Sequence, residues 1–290
     1  MSFAAFLETA WNDHADQPDA VAARLALAPE RVEAVADIPP LARLITHVYG
    51  EHLARWQAGI DLLTSLRTLP CWDGSREADA AVACGIAVLR YAGAIDPSLA
   101  DLPGDEQAIV LATAASALAG RRELRRAIAA YTQAVAIGAG PSAARALAVA
   151  GNNLAATLEE KPDRDAFETE GMLTAAQGGL HHWKLAGGWM EEERAEYRLA
   201  RSLLQAGDPA TAADHARRCI AVCEANAAPA FERFFGHAVL ALALRAAGDE
   251  PGWGAARQRA FELHDHVPAD EREWCAVDLA EIRDPPTPAT

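Results

Sequence analysis

Residues 193–224 read ERAEYRLARSLLQAGDPATAADHARRCIAVCE, and two helices joined by a tight break are written into them. In Glu193–Ala206 the apolar residues Ala195, Leu199, Ala200, Leu203 and Leu204 fall at steps of three and four. That spacing gathers side chains on one face of a 3.6-residue helix. Gly207-Asp208-Pro209 then closes one helix and opens another. Glycine accepts the positive φ past a helix end, aspartate caps the next start, and proline suits the first turn, where its missing N–H costs nothing. Phe231–Ala247 repeats the pattern with Phe234, Phe235, Ala238, Leu240, Ala241 and Leu244, followed by Gly248-Asp249 and Pro251.

Outward from this pair the same signals recur. Alanine and leucine, the strongest apolar helix formers, dominate. Sustained apolar–polar alternation is missing, and no Asn-Gly or Asp-Gly lies between β-branched runs, so strands are not expected. Pro39-Pro40 opens a helix and Pro70 ends the stretch after it. Pro97, Pro103 and Gly104 mark a loop, Gly120 separates two helices, Gly138–Pro141 ends the second, and Pro162 divides another pair. The reading is roughly a dozen helices of about 14 to 22 residues. Asp284–Thr290, with three prolines in seven residues, reads as a frayed tail.

Composition narrows the function classes. The chain has 290 residues, 51% hydrophobic and 23% charged, enough to bury a sizeable core and too apolar for wholesale disorder. A net charge of −15, from 41 acids against 26 bases, argues against binding nucleic acid or anionic membranes, both of which need basic surfaces. No run reaches the roughly 18–20 apolar residues of a membrane span. MSFAAFLETAWNDHAD lacks a basic segment followed by an apolar core, so no signal peptide is expected. Five cysteines, odd and sparse, suggest free thiols in a reducing compartment, and the expected location is the cytoplasm. Lysine occurs only at Lys161 and Lys184 while arginine and alanine abound, as in GC-rich, bacterial coding.

The helix pairs resemble tetratricopeptide repeats (TPR), whose 34-residue unit is two antiparallel helices crossing at small residues, with a bulky apolar residue three positions on. Leu199-Ala200 with Leu203, Gly207-Asp208 and Ala212 match one unit, and Leu240-Ala241, Leu244 and Gly248-Asp249 match the next. Ala150-Gly151 with Leu154 begins an earlier one. Ala112-Thr113, Ser116 and Gly120 begin another, continued by Ala127, Tyr131 and Ala134. Ile45-Thr46, Tyr49, Ala58, Leu62 and Pro70 suggest a first. The small positions 113, 151, 200 and 241 lie 38, 49 and 41 residues apart, so the helices are longer than the standard unit's. The resemblance is to long-repeat solenoids of bacterial regulatory proteins. It implies an all-α superhelix of about five or six hairpins in one domain, 1–283, with repeats over 40–266 and capping helices in 1–35 and 268–283. Residues 71–104 fit the register poorly, and a non-repetitive helical bundle stays open.

In that family the first helix of each pair lines a concave face. The resemblance therefore places Arg145, Asn152, Arg194, Tyr197, Arg198 and Arg201 on one hollow. Co-chaperone members clamp a peptide carboxylate with lysine, arginine and asparagine, and Asn152 matches the asparagine, although the other clamp positions are not reproduced in order. An anionic peptide or a small acid would suit such arginines. The other reading is a solvated face on which Glu191, Glu192, Glu193 and Glu196 pair with them at helical spacing. Asn152-Asn153 stands out because asparagine is a poor interior-helix residue; its amides would bond a neighbouring helix or a bound peptide backbone. His181, with Trp183 and Trp189, is a further candidate for the hollow.

Metal and catalytic signatures are sparse. Cys219 and Cys223 lie four apart on one helix face, but buried free thiols are the better reading. His47 and His52, five apart, splay apart on an α-helix, and neither they nor His264 and His266 carry zinc-ligand spacing, so no metal and no cofactor are expected. Phosphate-loop, dinucleotide, zinc-protease and nucleophile-elbow motifs do not occur in the sequence, and no catalytic residue is assigned. Three functions remain: a scaffold binding a protein or peptide segment; a self-associating structural or sensor subunit, such as a homodimer; and an all-helical enzyme acting on an acidic small molecule near His181, Tyr197 and Arg198.

Overall fold

Helix is the state of nearly the whole chain, as its alanine and leucine content dictates. The computed structural model describes residues 2–95, 98–138 and 140–283; Pro97 of the expected loop and the expected tail 284–290 lie outside them. Among the described residues there are fourteen α-helices and no strand, and no helix is long and apolar enough to cross a membrane. The local punctuation works as the sequence specifies. Gly207 takes φ +83°, Asp208 Oδ1 accepts the Thr211 N–H at 3.1 Å, and Pro209 starts the next helix. Gly248 takes φ +79°, and Asp249 Oδ1 accepts the Gly252 N–H at 3.0 Å.

The chain divides into two compact units, 1–150 and 151–290, with the division inside α8. The first contains α1 (Phe3–Asp13), α2 (Pro18–Ala26), α3 (Ile38–His47), α4 (Trp56–Ser65), α5 (Arg76–Ala92), α6 (Gly104–Gly120), α7 (Leu124–Ala136) and the start of α8 (Pro141–Glu159). Helix α5 packs on both α3 and α4, α6 packs on α5, and α7 on α6. Its core gathers Phe6, Leu25, Ile38, Leu41, Leu44, Ile45, Leu63 and Leu89. Tyr131 is buried in α7 and donates its hydroxyl to the Leu147 carbonyl at 3.1 Å. Helix α3 runs on into a π-helical turn, Val48–His52, in which the Leu53 N–H reaches the Val48 carbonyl at 3.2 Å. The wider turn buries three consecutive residues, Val48, Tyr49 and Gly50, beneath α6 and the end of α5. A Cβ on Gly50 would sit 3.1 Å from the Leu89 side chain, so glycine lets α5 approach closely there.

The second unit contains the rest of α8, then α9 (Ala166–Ala186), α10 (Trp189–Gln205), α11 (Pro209–Ala225), α12 (Ala230–Ala246), α13 (Glu250–Asp265), a 3-10 turn (Arg272–Cys275) and α14 (Ala276–Arg283). Each helix from α9 to α12 packs on its successor. In addition α10 touches α12 directly, and α14 lies on α12. The crossings are made by small residues: Ala200 of α10, Ala216 of α11 and Val239 of α12 form one cluster from which solvent is excluded. The small positions Gly151, Ala200 and Ala241 are buried, and Thr113 in the first unit is half-buried.

Candidate functional site

The second unit has a hollow of about 530 Å³ whose walls come from the start of α8's second half, from α10, from α12 and from the 3-10 turn region: Asn152, Glu193, Arg194, Tyr197, Arg198, Phe231, Glu232, Phe235, Glu271 and Trp274. Residues 194, 197, 198 and 201 recur at helical spacing on α10, which gives that helix one polar, aromatic wall. Helix α12 contributes Phe231 and Phe235, one turn apart, with ring centroids 5.1 Å apart and edge to face. Tyr197 meets Phe235 at 5.6 Å in the same geometry. Trp274 is 74% exposed at the rim.

Every arginine of this wall is paired across helices. Arg194 forms a two-pronged pair with Glu232 of α12, its Nε at 3.2 Å from Oε2 and its Nη2 on Oε1. Arg198 reaches Glu159 at the end of α8 through Nη1, and Ser202 donates to the other oxygen of Glu159 at 2.6 Å. Arg201 is paired with Glu281 of α14 and stands 3.9 Å from Asp278. Burial alone would lower its pKa, but the Glu281 hydrogen bond and the surrounding negative charge outweigh that and raise it. Tyr197 donates to Asp278 Oδ1 at 2.7 Å; burial, then the charge of Asp278, pushes its phenol well above the usual range. The Asp278 carboxyl is itself raised by burial, against the pull of Arg201 and the Tyr197 hydrogen bond.

Of the carboxylates expected to pair along α10, Glu193 and Glu196 turn inward, although Glu193 Oε1 stays 3.7 Å from the Arg194 Nε. Glu193 is 1% exposed and lies against Cys219 and Cys223, with their sulfurs 3.4 and 3.7 Å from Oε2. Burial, then its hydrogen-bonding proximity to Glu232, drives its pKa up. Glu196 is equally buried and takes Lys184 of α9 at 2.8 Å and His215 of α11 at 2.6 Å. The expected basic wall is therefore corrected: two of its arginines arrive neutralised by Glu232 and Glu159, because two uncompensated cations on one helix face would repel while acids abound in a chain of charge −15. One donor is left over. The Arg198 Nε–H is buried and has no acceptor among the described residues.

Of the residues singled out in the sequence, Asn152, Arg194, Tyr197 and Arg198 meet at this hollow. Arg201 lies behind it, its side chain 13% exposed. Asn153 and His181 are exposed, and neither lines it; His181 packs edge-on against its neighbour His182 at 4.8 Å. Helix α9 supplies no lining residue, so Trp183 is not part of the wall either, and nor is Trp189. Arg145 is exposed on the first-unit part of α8 and is not among the lining residues. Phe231, Phe235, Glu271 and Trp274 were not anticipated. Their signal was Phe231–Phe235 at one-turn spacing, which also suits a core. No family model and no curated protein matches the chain.

Proposed function

We propose that residues 151–283 are a hairpin-stacked, tetratricopeptide-like module that binds an extended segment of a partner protein. An apolar side chain of that segment enters between Tyr197, Phe231, Phe235 and Trp274, and its backbone bonds to Asn152 and Arg198. The packing of α10 on α11, of both on α12, and the small buried residues at the crossings support the repeat reading, since the first helix of each hairpin then touches the first helix of the next. The buried, unanswered Arg198 Nε–H beside a 530 Å³ aromatic-walled hollow is the observation that carries the binding reading. A buried donor without an acceptor costs roughly 1–3 kcal/mol, which a ligand carbonyl or carboxylate recovers. Because the arginines already hold carboxylates, a backbone carbonyl suits the site better than a second full negative charge.

The test is a peptide array followed by titration of the best binder, monitored by tryptophan fluorescence. Trp274 is a rim residue, so Trp274→Ala should leave the fold intact and weaken binding about tenfold or more, as aromatic anchors do. Asn152→Ala should weaken it about five- to tenfold by removing one hydrogen-bonding amide. Peptides that bind both variants as tightly as the parent would refute the placement.

A further inference from the structure

The first unit holds a cluster that the hollow does not involve: His14, His47 and His52. His14 directly follows α1, His47 is the last residue of α3, and His52 ends the π-helical turn. Their ring centroids lie 4.8 Å (His14–His47), 5.0 Å (His14–His52) and 4.8 Å (His47–His52) apart. The expectation that His47 and His52 splay apart is corrected here. It holds for an α-helix, but the π turn hydrogen-bonds at five-residue spacing and returns His52 to the face of His47, with their Nε2 atoms 3.2 Å apart.

Three features of this cluster belong to a metal site rather than to packing. One ligand nitrogen from each ring lies within 4.8 Å of the other two. A tetrahedral cation with metal–nitrogen bonds of about 2.0–2.1 Å requires nitrogens about 3.4 Å apart, which the His47–His52 pair, at 3.2 Å, already approaches. The far nitrogens are also engaged. His14 Nδ1 lies on the Trp11 carbonyl, and His47 Nδ1 lies 3.1 Å from the Glu51 carboxylate. Those acceptors keep the proton on Nδ1 and turn the Nε2 lone pairs inward, the arrangement that orients metal-binding imidazoles. Finally, the His47 and His52 Nε2 atoms face each other at 3.2 Å, close enough for one ion to take both. All three rings are half-buried, so an ion and water can reach them.

We propose that His14, His47 and His52 bind one divalent transition-metal ion of the imidazole-preferring class, Zn2+ foremost, through their Nε2 atoms, with water completing the coordination. Glu51 is a positioning residue that acts through His47.

The experiment uses the full chain, stripped with chelator and dialysed, then titrated with Zn2+ by calorimetry and with Co2+ by visible absorption. The parent should bind one equivalent of each and melt at a higher temperature with Zn2+. His52→Gln and His14→Gln should each weaken Zn2+ at least a hundredfold, and Glu51→Gln about ten- to a hundredfold, the usual effect of removing an orienting partner. Glu193, Cys219 and Cys223 form the other set of converging ligand atoms, so Cys219→Ala serves as the control and should bind like the parent. The proposal fails if the parent takes up no Zn2+. It fails equally if Cys219→Ala abolishes uptake, if Co2+ gives a thiolate charge-transfer band, or if a histidine variant that folds by circular dichroism binds like the parent.

Discussion

Glu196 is the residue on which the second unit's helices most visibly depend. It is buried on α10, yet it accepts hydrogen bonds from Lys184 of α9 and His215 of α11, so one carboxylate ties three helices. The perturbation is Glu196→Gln, which keeps the shape and removes the charge. A hydrogen bond to a charged group is worth roughly 1.5–3 kcal/mol. The Lys184 side chain is 43% exposed, and solvent screening reduces its share to about 0.5–1 kcal/mol. The His215 side chain is 12% exposed and keeps most of its share, about 1.5–2 kcal/mol. The expected loss is therefore about 2–3 kcal/mol, measured by urea unfolding with far-ultraviolet circular dichroism, or about 5–10 °C in melting temperature for a protein of this size. The pH dependence gives a second reading. Burial works against the Glu196 charge, but His215 and Lys184 outweigh it and hold the carboxyl below its usual range. A group with a depressed folded pKa contributes stability that is complete above its unfolded pKa and disappears as pH falls through the folded one. The gap between parent and variant should thus be full at pH 7 and narrow progressively as pH falls below the ordinary glutamate pKa of about 4.3. A variant within about 0.5 kcal/mol of the parent at pH 7, or a gap that does not narrow in acid, would refute the reasoning.

Other outcomes follow from single positions. His237 is half-buried, and its pKa is lowered to about 4 by burial and by Arg259 and Arg233; stability should fall as pH drops from about 6.5 toward 4, and His237→Gln should remove about 1–2 kcal/mol of that acid loss after screening, read from urea midpoints at pH 7 and pH 5. Gly207 at φ +83° has open space around it, so Gly207→Ala should cost about 1–2 kcal/mol through backbone strain alone, and Gly207→Asn less, in the same unfolding assay. Ala200 is fully buried where α10, α11 and α12 meet; Ala200→Leu should overpack that crossing and cost about 1–3 kcal/mol, with a lowered melting temperature as the readout. Burial pushes the thiols of Cys84 and Cys275 up to about 11, so with Ellman's reagent at pH 7.5 both should react more slowly than a free thiol, and the fully buried Cys275 more slowly than the half-buried Cys84, as mass mapping of the labelled peptides would show.

What the sequence displayed and what it concealed separate along a physical line. The helix breaks at Gly207-Asp208-Pro209 and Gly248-Asp249 were legible because a positive φ and an aspartate cap are settled within four residues. The charge partners were not, because Arg194, Arg198 and Arg201 take carboxylates 38, 39 and 80 residues away. Yet one part of that outcome was in view. Glu193, Glu196, Ala200 and Leu203 stand at steps of three, four and three, so the stripe that buries Ala200 and Leu203 also carries both glutamates inward. Reading them as a solvated face gave charge type precedence over periodicity, and in this helix periodicity prevailed, with the Glu193 pKa raised by burial and Glu196 ion-paired as the chemical consequence.

The histidine cluster shows the opposite limit. Five residues along an α-helix rotate a side chain to about 140° from where it began, and on that premise His47 and His52 share nothing. The premise fails because α3 does not end as an α-helix. The close approach of Leu89 of α5 at Gly50, and of α6 over the same turn, favours a wider turn that buries Val48, Tyr49 and Gly50 together. That extra residue per turn brings His52 to His47, and the chain end of α1 adds His14 from 33 residues upstream of His47. Nothing local to 47–52 except the glycine hints at it. The consequence is testable without any metal: Gly50→Ala places a Cβ 3.1 Å from the Leu89 side chain, and if the turn yields rather than Leu89, this one methyl should separate His47 from His52, seen as loss of the proton-NMR cross-peaks between the two imidazole rings. Ring-to-ring cross-peaks that persist in Gly50→Ala would mean that Leu89 gives way to the methyl and that the glycine is not what holds the turn.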